Sequence, residues 1–280
     1  MTKIAFRPRR SCLYIPGANA RALEKAKSLD ADVLVFDLED AVAPDVKAEA
    51  RSSVAAAVRA GGYGAREIVV RVNALDSEWG GLDLDAALAA RPDAILLPKV
   101  TCAGDIACAA AGGLPVWAMI EMPLAILNIG EIAAAAGLAA LVVGTNDLAK
   151  EMRAVATPRR EAFQTALALT VTAARAHGRA AIDGVFNALR DDPGFANECE
   201  QGRALGFDGK SLIHPSQIDI ANRVFAPRAD EIAEARAIVA AFDAPENAGK
   251  GVLRVGGKMA ERLHLEEARN CLALAARLPE

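Results

Sequence analysis

The sequence predicts a (β/α)₈ barrel, or TIM barrel, followed by a C-terminal helical extension that includes a lid. Eight short, β-rich apolar runs occur between residues 12 and 215, and alanine-rich segments with helical spacing of apolar residues separate them. Near-continuous apolar strands that alternate with helices are typical of such a barrel. A doubly wound open sheet, the competing fold, usually needs fewer strands, and its G-x-G-x-x-G motif is absent from the sequence.

The candidate strands share one further property: the C-terminal end of each run carries residues that can take part in catalysis or binding, or in a tight turn. The runs are residues 12–17, 33–39, 68–73, 94–100, 115–121, 138–147, 180–186 and 209–215. Their ends carry Pro16-Gly17, Asp37, Glu39, Asp40, Arg71, Asn73, Lys99, Glu121, Asn146, Asp147, Asp183 and His214. Because the carboxyl ends of barrel strands meet on one face, these side chains predict an active site there.

The pattern changes after residue 215. Residues 216–242 show two helical patterns, 243–258 are expected to form a glycine-rich loop, and 259–278 a final amphipathic helix. A mobile connector before a terminal helix is typical of a lid or a subunit-exchanging arm. We therefore expect a catalytic barrel over 1–225 and a helical extension and lid over 226–280.

Composition excludes several classes of function. The chain has 280 residues, a net charge of −4 and 24% charged residues, so no basic field indicates nucleic acid or an anionic membrane. The best membrane candidate, 114–143, is interrupted by proline and acidic residues. Five dispersed cysteines suit reduced thiols better than a disulfide framework. We expect a cytoplasmic protein with no nucleic-acid or membrane partner.

Glu121 and Asp147 are the candidate metal ligands. They end consecutive predicted strands, so they would be neighbours on the barrel rim. Two carboxylates suit Mg²⁺, because this ion is commonly bound by one or two protein carboxylates and fills its other coordination positions with water and substrate oxygens. The alternatives are a helix N-cap role for Asp147 and a salt bridge for Glu121.

Arg71 is the candidate substrate clamp. A guanidinium that points into the barrel mouth suits a substrate carboxylate. The alternative is that Arg71 is the ion-pair partner of Asp37, Glu39 and Asp40, and both roles are compatible. In that arrangement the three carboxylates would orient Arg71 and order metal-bound water as a second shell.

Two further features give weaker signals. Arg21 and Lys25 follow a Pro-Gly turn, where helix N-termini and cations attract phosphate, but no phosphate-binding motif accompanies them, and a solvated helix face is the simpler interpretation. His214 is more simply a structural histidine than a site residue. The three scattered histidines argue against zinc.

Several motifs together resemble the HpcH/HpaI aldolase and citrate lyase β-subunit family, especially its CitE-like CoA-ester lyases of the malyl-CoA and citramalyl-CoA type. The motifs are "SCLYIPGANARALEKA", "ADVLVFDLEDAVAPDVKAEAR", "VRVN", "IEMP", "GTNDL", "DGKSLIHPSQI" and "GGKMAE". The resemblance implies a homotrimeric or hexameric TIM barrel that uses Mg²⁺, with Mn²⁺ as a possible substitute. It also implies retro-Claisen cleavage of a 3-hydroxyacyl-CoA into acetyl-CoA and a 2-oxo acid.

Carried over by motif, the resemblance implies roles for six residues. Glu121 and Asp147 match the Mg²⁺ ligands, with Glu121 also at the substrate, and Arg71 matches the substrate clamp. Arg21 and Lys25 match CoA-phosphate contacts. The family's Gly-Lys-Met-Ile-Asp carries an aspartate that reaches the neighbouring subunit's site; here the sequence reads "GKMAE", so Glu261 takes the position of that acid.

Three alternatives to the lyase remain open from the sequence. They are a malyl-CoA thioesterase on the same scaffold, a CoA-independent aldolase for 2-keto-3-hydroxy acids, and a non-catalytic subunit of a lyase complex. The predicted lid argues against the last of these, and Arg21 and Lys25 argue for CoA.

Overall fold

The computed structural model describes residues 7–278, which form two compact units. The first unit is Arg9–Phe225, and the second contains residues 7–8 and 226–278. The hydrophobic core clusters and the candidate strands all fall in the first unit.

The first unit is a closed barrel of eight parallel strands, as the sequence predicts. The strands are β1 Ser11–Pro16, β2 Val33–Asp37, β3 Glu67–Arg71, β4 Ala94–Leu97, β5 Val116–Ile120, β6 Leu138–Val143, β7 Ala180–Asp183 and β8 Gly209–Leu212. Each strand pairs with the next in sequence, and β8 returns to β1 through the pair Cys12 and Ser211. Every predicted run overlaps one of these strands, although β1 and β3 each begin one residue before the predicted run.

Helices connect the strands. They are α1 Ala20–Lys25, α2 Lys47–Ala60, α3 Gly80–Ala90, α4 Ala103–Ala110, α5 Pro123–Leu127, α6 Ile129–Ala134, α7 Thr145–Met152, α8 Gln164–Ala176, α9 Asp192–Leu205 and α10 Ile218–Phe225. Asp147 therefore lies in the first turn of α7 and not at the end of β6. The predicted run 138–147 is too long because the apolar strand stops at Val143.

Alternation along each strand produces two apolar cores. One set of side chains, which includes Val35, Leu96 and Trp117, packs inside the barrel. The other set, which includes Leu34 and Phe36, packs between the strands and the surrounding helices. Because both faces of the strands are buried, the strands are almost uniformly apolar.

The second unit contains two helices and a β-hairpin. The helices α11 Ala229–Asp243 and α12 Arg262–Ala275 pack against each other, and the hairpin consists of β9 Val252–Val255 and β10 Lys258–Glu261. The prediction of a loop over 243–258 was therefore wrong in its second half. Gly256 and Gly257 have φ values of 57° and 81°, and two positive φ values in succession form the tight turn that joins hairpin strands.

Among residues 7–278, no helix combines the length and the apolar character needed to cross a bilayer.

Candidate active site

A cavity of about 310 Å³ opens at the carboxyl ends of the barrel strands. Its lining comprises Tyr14, Pro16, Asp37, Asp40, Ala41, Arg71, Met119, Glu121, Val143, Gly144, Thr145, Asn146, Asp147, Val185, Ser211 and Ile213. The strand ends therefore bring the predicted carboxylates and the predicted arginine together, as parallel strands in a barrel require.

Arg71 is held by Asp37 at the base of the cavity. Its Nε donates to Asp37 Oδ1 at 2.6 Å and its Nη2 to Asp37 Oδ2 at 2.7 Å, which is a bidentate pair. Both side chains are buried, and the guanidinium lies 4.7 Å from the centre of the Tyr14 ring. Burial opposes the charge of Arg71, but Asp37 outweighs it and raises the pKa of Arg71 well above its ordinary value. Arg71 therefore remains a cation in the cavity.

The two other acidic residues of the cluster also face Arg71. Its Nη1 lies 2.7 Å from Glu39 Oε2 and 3.3 Å from Asp40 Oδ2. Glu39 is buried, whereas 66% of the Asp40 side chain is exposed. Burial raises the pKa of Glu39 to about 8; the charge of Arg71 opposes this shift, and the neighbouring carboxylates of Asp40 and Glu121 add to it. The ion-pair role of Arg71 is thus present in the structure, and Asp40 is its most weakly held partner.

Glu121 and Asp147 converge on a single cation, the ammonium of Lys99. Lys99 Nζ forms a close ion pair with Asp147 Oδ2 and lies 3.4 Å from Glu121 Oε1. Burial raises the pKa of Glu121, and Lys99 opposes that shift. Burial also works against the charge of Lys99, but its hydrogen bond to Asp147 and the charge of Glu121 raise its pKa.

Lys99 is a site residue whose role the sequence reasoning missed. It follows β4 with φ of 54°, a left-handed backbone that non-glycine residues seldom adopt. In this conformation its backbone N–H donates to Glu121 Oε1 at 2.8 Å while its side chain reaches Asp147. A lysine at a strand end was the only signal of this contact in the sequence, and nothing local indicated the direction of the side chain.

The two carboxylates fit a divalent cation of the kind that the resemblance implies. Both line the same cavity, and one oxygen of each contacts the same ammonium, so they can share a cation. Gly144 makes room for this arrangement, because a Cβ at that position would overlap the Glu121 carboxylate. Within residues 7–278 no group of three or more His, Cys, Asp or Glu side chains could hold a metal, so Mg²⁺ would take its remaining ligands from water and substrate.

The other candidates lie elsewhere. Arg21 and Lys25 are exposed on α1 and are not among the described residues that line the cavity. His214 is exposed; its Nδ1 accepts from the Ser216 N–H at 3.2 Å, which is a local capping contact and agrees with the structural interpretation. Glu261 belongs to the second unit, where it ends β10 and caps α12, and its N–H donates to His264 Nδ1 at 2.9 Å.

Sequence comparisons identify relatives along nearly the whole chain. Residues 10–215 match the model of the HpcH/HpaI aldolase/citrate lyase family. A (3S)-malyl-CoA thioesterase from Cereibacter sphaeroides is 52% identical over 270 residues, which cover 96% of this chain and 95% of that protein. Citrate lyase subunit beta from Escherichia coli (strain K12) is 38% identical over 283 residues, which cover 96% of this chain and 94% of that protein.

Solved structures of CitE and of a citrate lyase β subunit are also similar to this chain. CitE from Mycobacterium tuberculosis, in complex with magnesium, acetoacetate and coenzyme A, has a TM-score of 0.82 and 28% identity and covers 98% of this chain and 99% of that chain. A citrate lyase β subunit from M. tuberculosis, complexed with oxaloacetate and magnesium, has a TM-score of 0.71 and 29% identity over 79% of this chain and 98% of that chain.

Proposed function

Because the chain belongs to the HpcH/HpaI aldolase/citrate lyase family, and aldolases and citrate lyases break carbon–carbon bonds, we propose that it is a Mg²⁺-dependent CoA-ester lyase. Its substrate is a 3-hydroxyacyl-CoA of the malyl-CoA or citramalyl-CoA type, and its products are acetyl-CoA and a 2-oxo acid. One observation carries the proposal. Glu121 and Asp147 both contact the Lys99 ammonium, so they can share a cation, and they line the same cavity as Arg71.

Glu121 and Asp147 would hold Mg²⁺, and Mn²⁺ would be an acceptable substitute. The bound ion would supply Lewis-acid polarisation of the substrate's hydroxyl and carboxylate oxygens. Burial of Glu121 and its bond from the Lys99 N–H fix the direction of its carboxylate. The hydroxy-acid end of the substrate is therefore the end that this part of the cavity activates.

Arg71 would bind the substrate carboxylate. Asp37 holds the guanidinium in place from one edge, and the exposed Asp40 is the partner that an incoming carboxylate would replace. A base then takes the hydroxyl proton, the O–H electron pair forms the carbonyl of the 2-oxo acid, and the C2–C3 bond breaks. Its electron pair moves onto the acyl-CoA fragment as a thioester enolate, which a proton at C2 converts to the acetyl product.

The remaining roles follow from the family resemblance. Arg21 and Lys25 would contact the phosphates of CoA, and their exposure on α1 leaves them accessible to a charged ligand. Glu261 would donate the proton to the enolate, as the family's aspartate does, from the lid of a neighbouring protomer in a homotrimer or hexamer. Asp37, Glu39 and Asp40 would act behind these groups by holding Arg71. We propose a cytoplasmic location.

Hydrolysis of the same thioester is a second candidate function. The observation that favours it is the 52% identity to a malyl-CoA thioesterase across 96% of this chain. We place C–C cleavage first because the candidate metal ligands and Arg71 together would engage the hydroxy-acid end of the substrate, whereas hydrolysis requires attack at the thioester carbonyl.

Product analysis separates the two functions. Purified protein with Mg²⁺ and (3S)-malyl-CoA is expected to give acetyl-CoA and glyoxylate in equal amounts. Free CoA thiol and malate, with no glyoxylate, would assign hydrolysis. If the protein left malyl-CoA and citramalyl-CoA intact but cleaved a free 2-keto-3-hydroxy acid, both CoA-ester functions would be wrong.

A further inference from the structure

Ser211 carries a buried hydroxyl that the fold does not use. Its side chain lines the cavity, yet the residue is only 2% exposed. Its Oγ has no hydrogen-bond partner among residues 7–278. A buried hydroxyl without a partner destabilises a folded protein, so a chain that retains one at the base of a cavity has a polar group ready for a ligand.

The position of Ser211 in β8 directs this hydroxyl into the barrel. Ser211 is in register with Cys12 of β1, and Cys12 belongs to the core inside the barrel. The preceding residue, Lys210, points to the outside, where its Nζ donates to Asp183 Oδ2 at 3.0 Å. Alternation along the strand therefore places Ser211, and not the charged residue beside it, in the cavity.

The cavity wall around Ser211 is neutral. From β7 and β8 and the loops that follow them, the described lining residues are Val185, Ser211 and Ile213. The charged lining residues come from β2 and β3 and from the segments that follow β2, β5 and β6. The part of the cavity wall that β7, β8 and their loops form is thus apolar apart from one hydroxyl.

We propose that the Ser211 hydroxyl donates a hydrogen bond to the thioester carbonyl oxygen of the bound acyl-CoA. This inference rests on the proposed CoA-ester function, in which Arg71 and the carboxylates engage the hydroxy-acid end. The neutral thioester then lies against the wall formed by β7, β8 and the loops after them, where Ser211 is the one side-chain donor among the described lining residues. The other neutral donors of the described lining lie beside the charged groups: Tyr14 stacks on Arg71, and Thr145 and Asn146 begin α7 with Asp147.

A donor at this oxygen assists the reaction whichever bond breaks. In C–C cleavage, the electron pair of the broken bond becomes an enolate whose negative charge lies on the thioester oxygen. In hydrolysis, water adds to the carbonyl carbon and the same oxygen becomes the oxyanion of the tetrahedral intermediate. A hydrogen bond from Ser211 strengthens as that charge develops, which lowers the barrier in both cases.

The test compares two CoA ligands that differ only at the thioester carbonyl, which is a methylene group in one of them. Acetyl-CoA has the carbonyl, whereas S-ethyl-CoA, its thioether, lacks it. Isothermal titration in the presence of Mg²⁺ is expected to show that the wild-type protein prefers acetyl-CoA by roughly fivefold, the value of one hydrogen bond. Ser211→Ala is expected to bind both ligands equally, and Ser211→Thr, which restores a hydroxyl, is expected to recover the preference.

Ser52→Ala is the matched control, because the Ser52 hydroxyl is exposed and bonds to Ala48 O within its own helix. It is expected to keep the wild-type preference. Thermal unfolding distinguishes a ligand role from a structural one: removal of an unpartnered hydroxyl leaves the melting temperature of Ser211→Ala unchanged or raises it, and a lower melting temperature would indicate a structural bond.

Two results would overturn the assignment, and they differ in what else they imply. An equal preference for acetyl-CoA in the wild type and in Ser211→Ala would remove Ser211 from carbonyl recognition and leave the proposed function intact. Failure of the wild-type protein to bind either CoA compound would overturn both the assignment and the CoA-ester function.

Discussion

Lys99 competes with any divalent cation at the candidate metal site. Its ammonium contacts one oxygen of Glu121 and one of Asp147, the two carboxylates that would hold Mg²⁺. A second cation at this position must displace the ammonium or share the carboxylates with it. Glu39 Oε1 lies 3.9 Å from Lys99 Nζ and is the oxygen towards which a displaced ammonium would move.

We predict that Lys99→Met binds Mg²⁺ more tightly than the wild type. Removal of one positive charge a few ångströms from the ion favours Mg²⁺ by about tenfold or more at an effective dielectric constant near 20. Isothermal titration with Mg²⁺ measures the change. Lys150→Met removes an exposed lysine from α7 and controls for the change in net charge. Equal Mg²⁺ affinities in the wild type and Lys99→Met would contradict the prediction.

Glu39 gives the metal-free protein a pH-dependent stability. Its pKa is raised from 4.5 to about 8 in the folded chain. Between these two pH values the Glu39 carboxyl group is protonated in the folded state and ionised in the unfolded state. The stabilising contribution is therefore complete below pH 4.5 and is lost as the pH rises through about 8, at up to about 1.4 kcal/mol per pH unit.

Glu39→Gln should remove this dependence, because glutamine imitates the protonated form at every pH. Urea unfolding in EDTA between pH 5 and 9 is expected to show the variant gaining stability relative to the wild type as the pH rises, by roughly 2 kcal/mol or more near pH 8. The control is Glu49→Gln on α2, an exposed position. Parallel stability curves for Glu39→Gln and the wild type would indicate that Glu39 is ionised throughout.

At the scale of the elements, the junction between β6 and α7 shapes the metal site. Gly144 lies between the strand and the helix, and an added Cβ would lie 2.5 Å from Glu121 Cβ and overlap the carboxylate. The backbone of Gly144 has φ of −104°, which any residue adopts, so the requirement for glycine is one of space and not of conformation.

Gly144→Ala is therefore predicted to move the Glu121 carboxylate and weaken Mg²⁺ binding by about tenfold or more. Overpacking of this kind also costs about 1–3 kcal/mol in the free energy of unfolding. Gly130→Ala in α6 is the matched control, because its added Cβ meets open space. Mg²⁺ titration and thermal unfolding of both variants provide the measurement, and wild-type Mg²⁺ affinity in Gly144→Ala would refute the steric argument.

The elements also explain how much of the structure the sequence predicts. The eight barrel strands were predictable because both of their faces are buried, which makes each strand a continuous apolar run. The convergence of Asp37, Arg71 and Glu121 followed from their strand-end positions. The contacts of Lys99 were not predictable, because they depend on a left-handed backbone that no neighbouring residue indicates. The β9–β10 hairpin had a readable signal, the Gly256-Gly257 turn between apolar positions, which was interpreted as a loop.

At the scale of the whole molecule, the proposed role of Glu261 predicts exchange between protomers. Glu261→Gln and Asp147→Asn are each expected to be inactive. Co-expression is expected to restore about a quarter of wild-type activity, because random mixing completes about one site in four when a site takes Asp147 and Glu261 from different protomers. Activity is measured on malyl-CoA with the whole population of co-expressed oligomers, after size separation from free monomer.

Two other results would change this assignment. Inactive Glu261→Gln without rescue would place Glu261 in the site of its own protomer. A fully active Glu261→Gln would show that Glu261 is not part of the catalytic site. Its role would then be that of the N-cap of α12, the position that it occupies in the second unit.

We expect turnover to depend on a divalent cation that Glu121 and Asp147 hold. The most direct measurement is the rate of malyl-CoA consumption as a function of Mg²⁺ concentration after treatment with EDTA. The wild type and the exposed-site control Asp45→Asn are expected to be inactive in EDTA and to recover fully with Mg²⁺ or Mn²⁺, while Glu121→Gln and Asp147→Asn remain folded and inactive at every concentration. Full turnover in excess EDTA, or wild-type turnover in either variant, would contradict the claim.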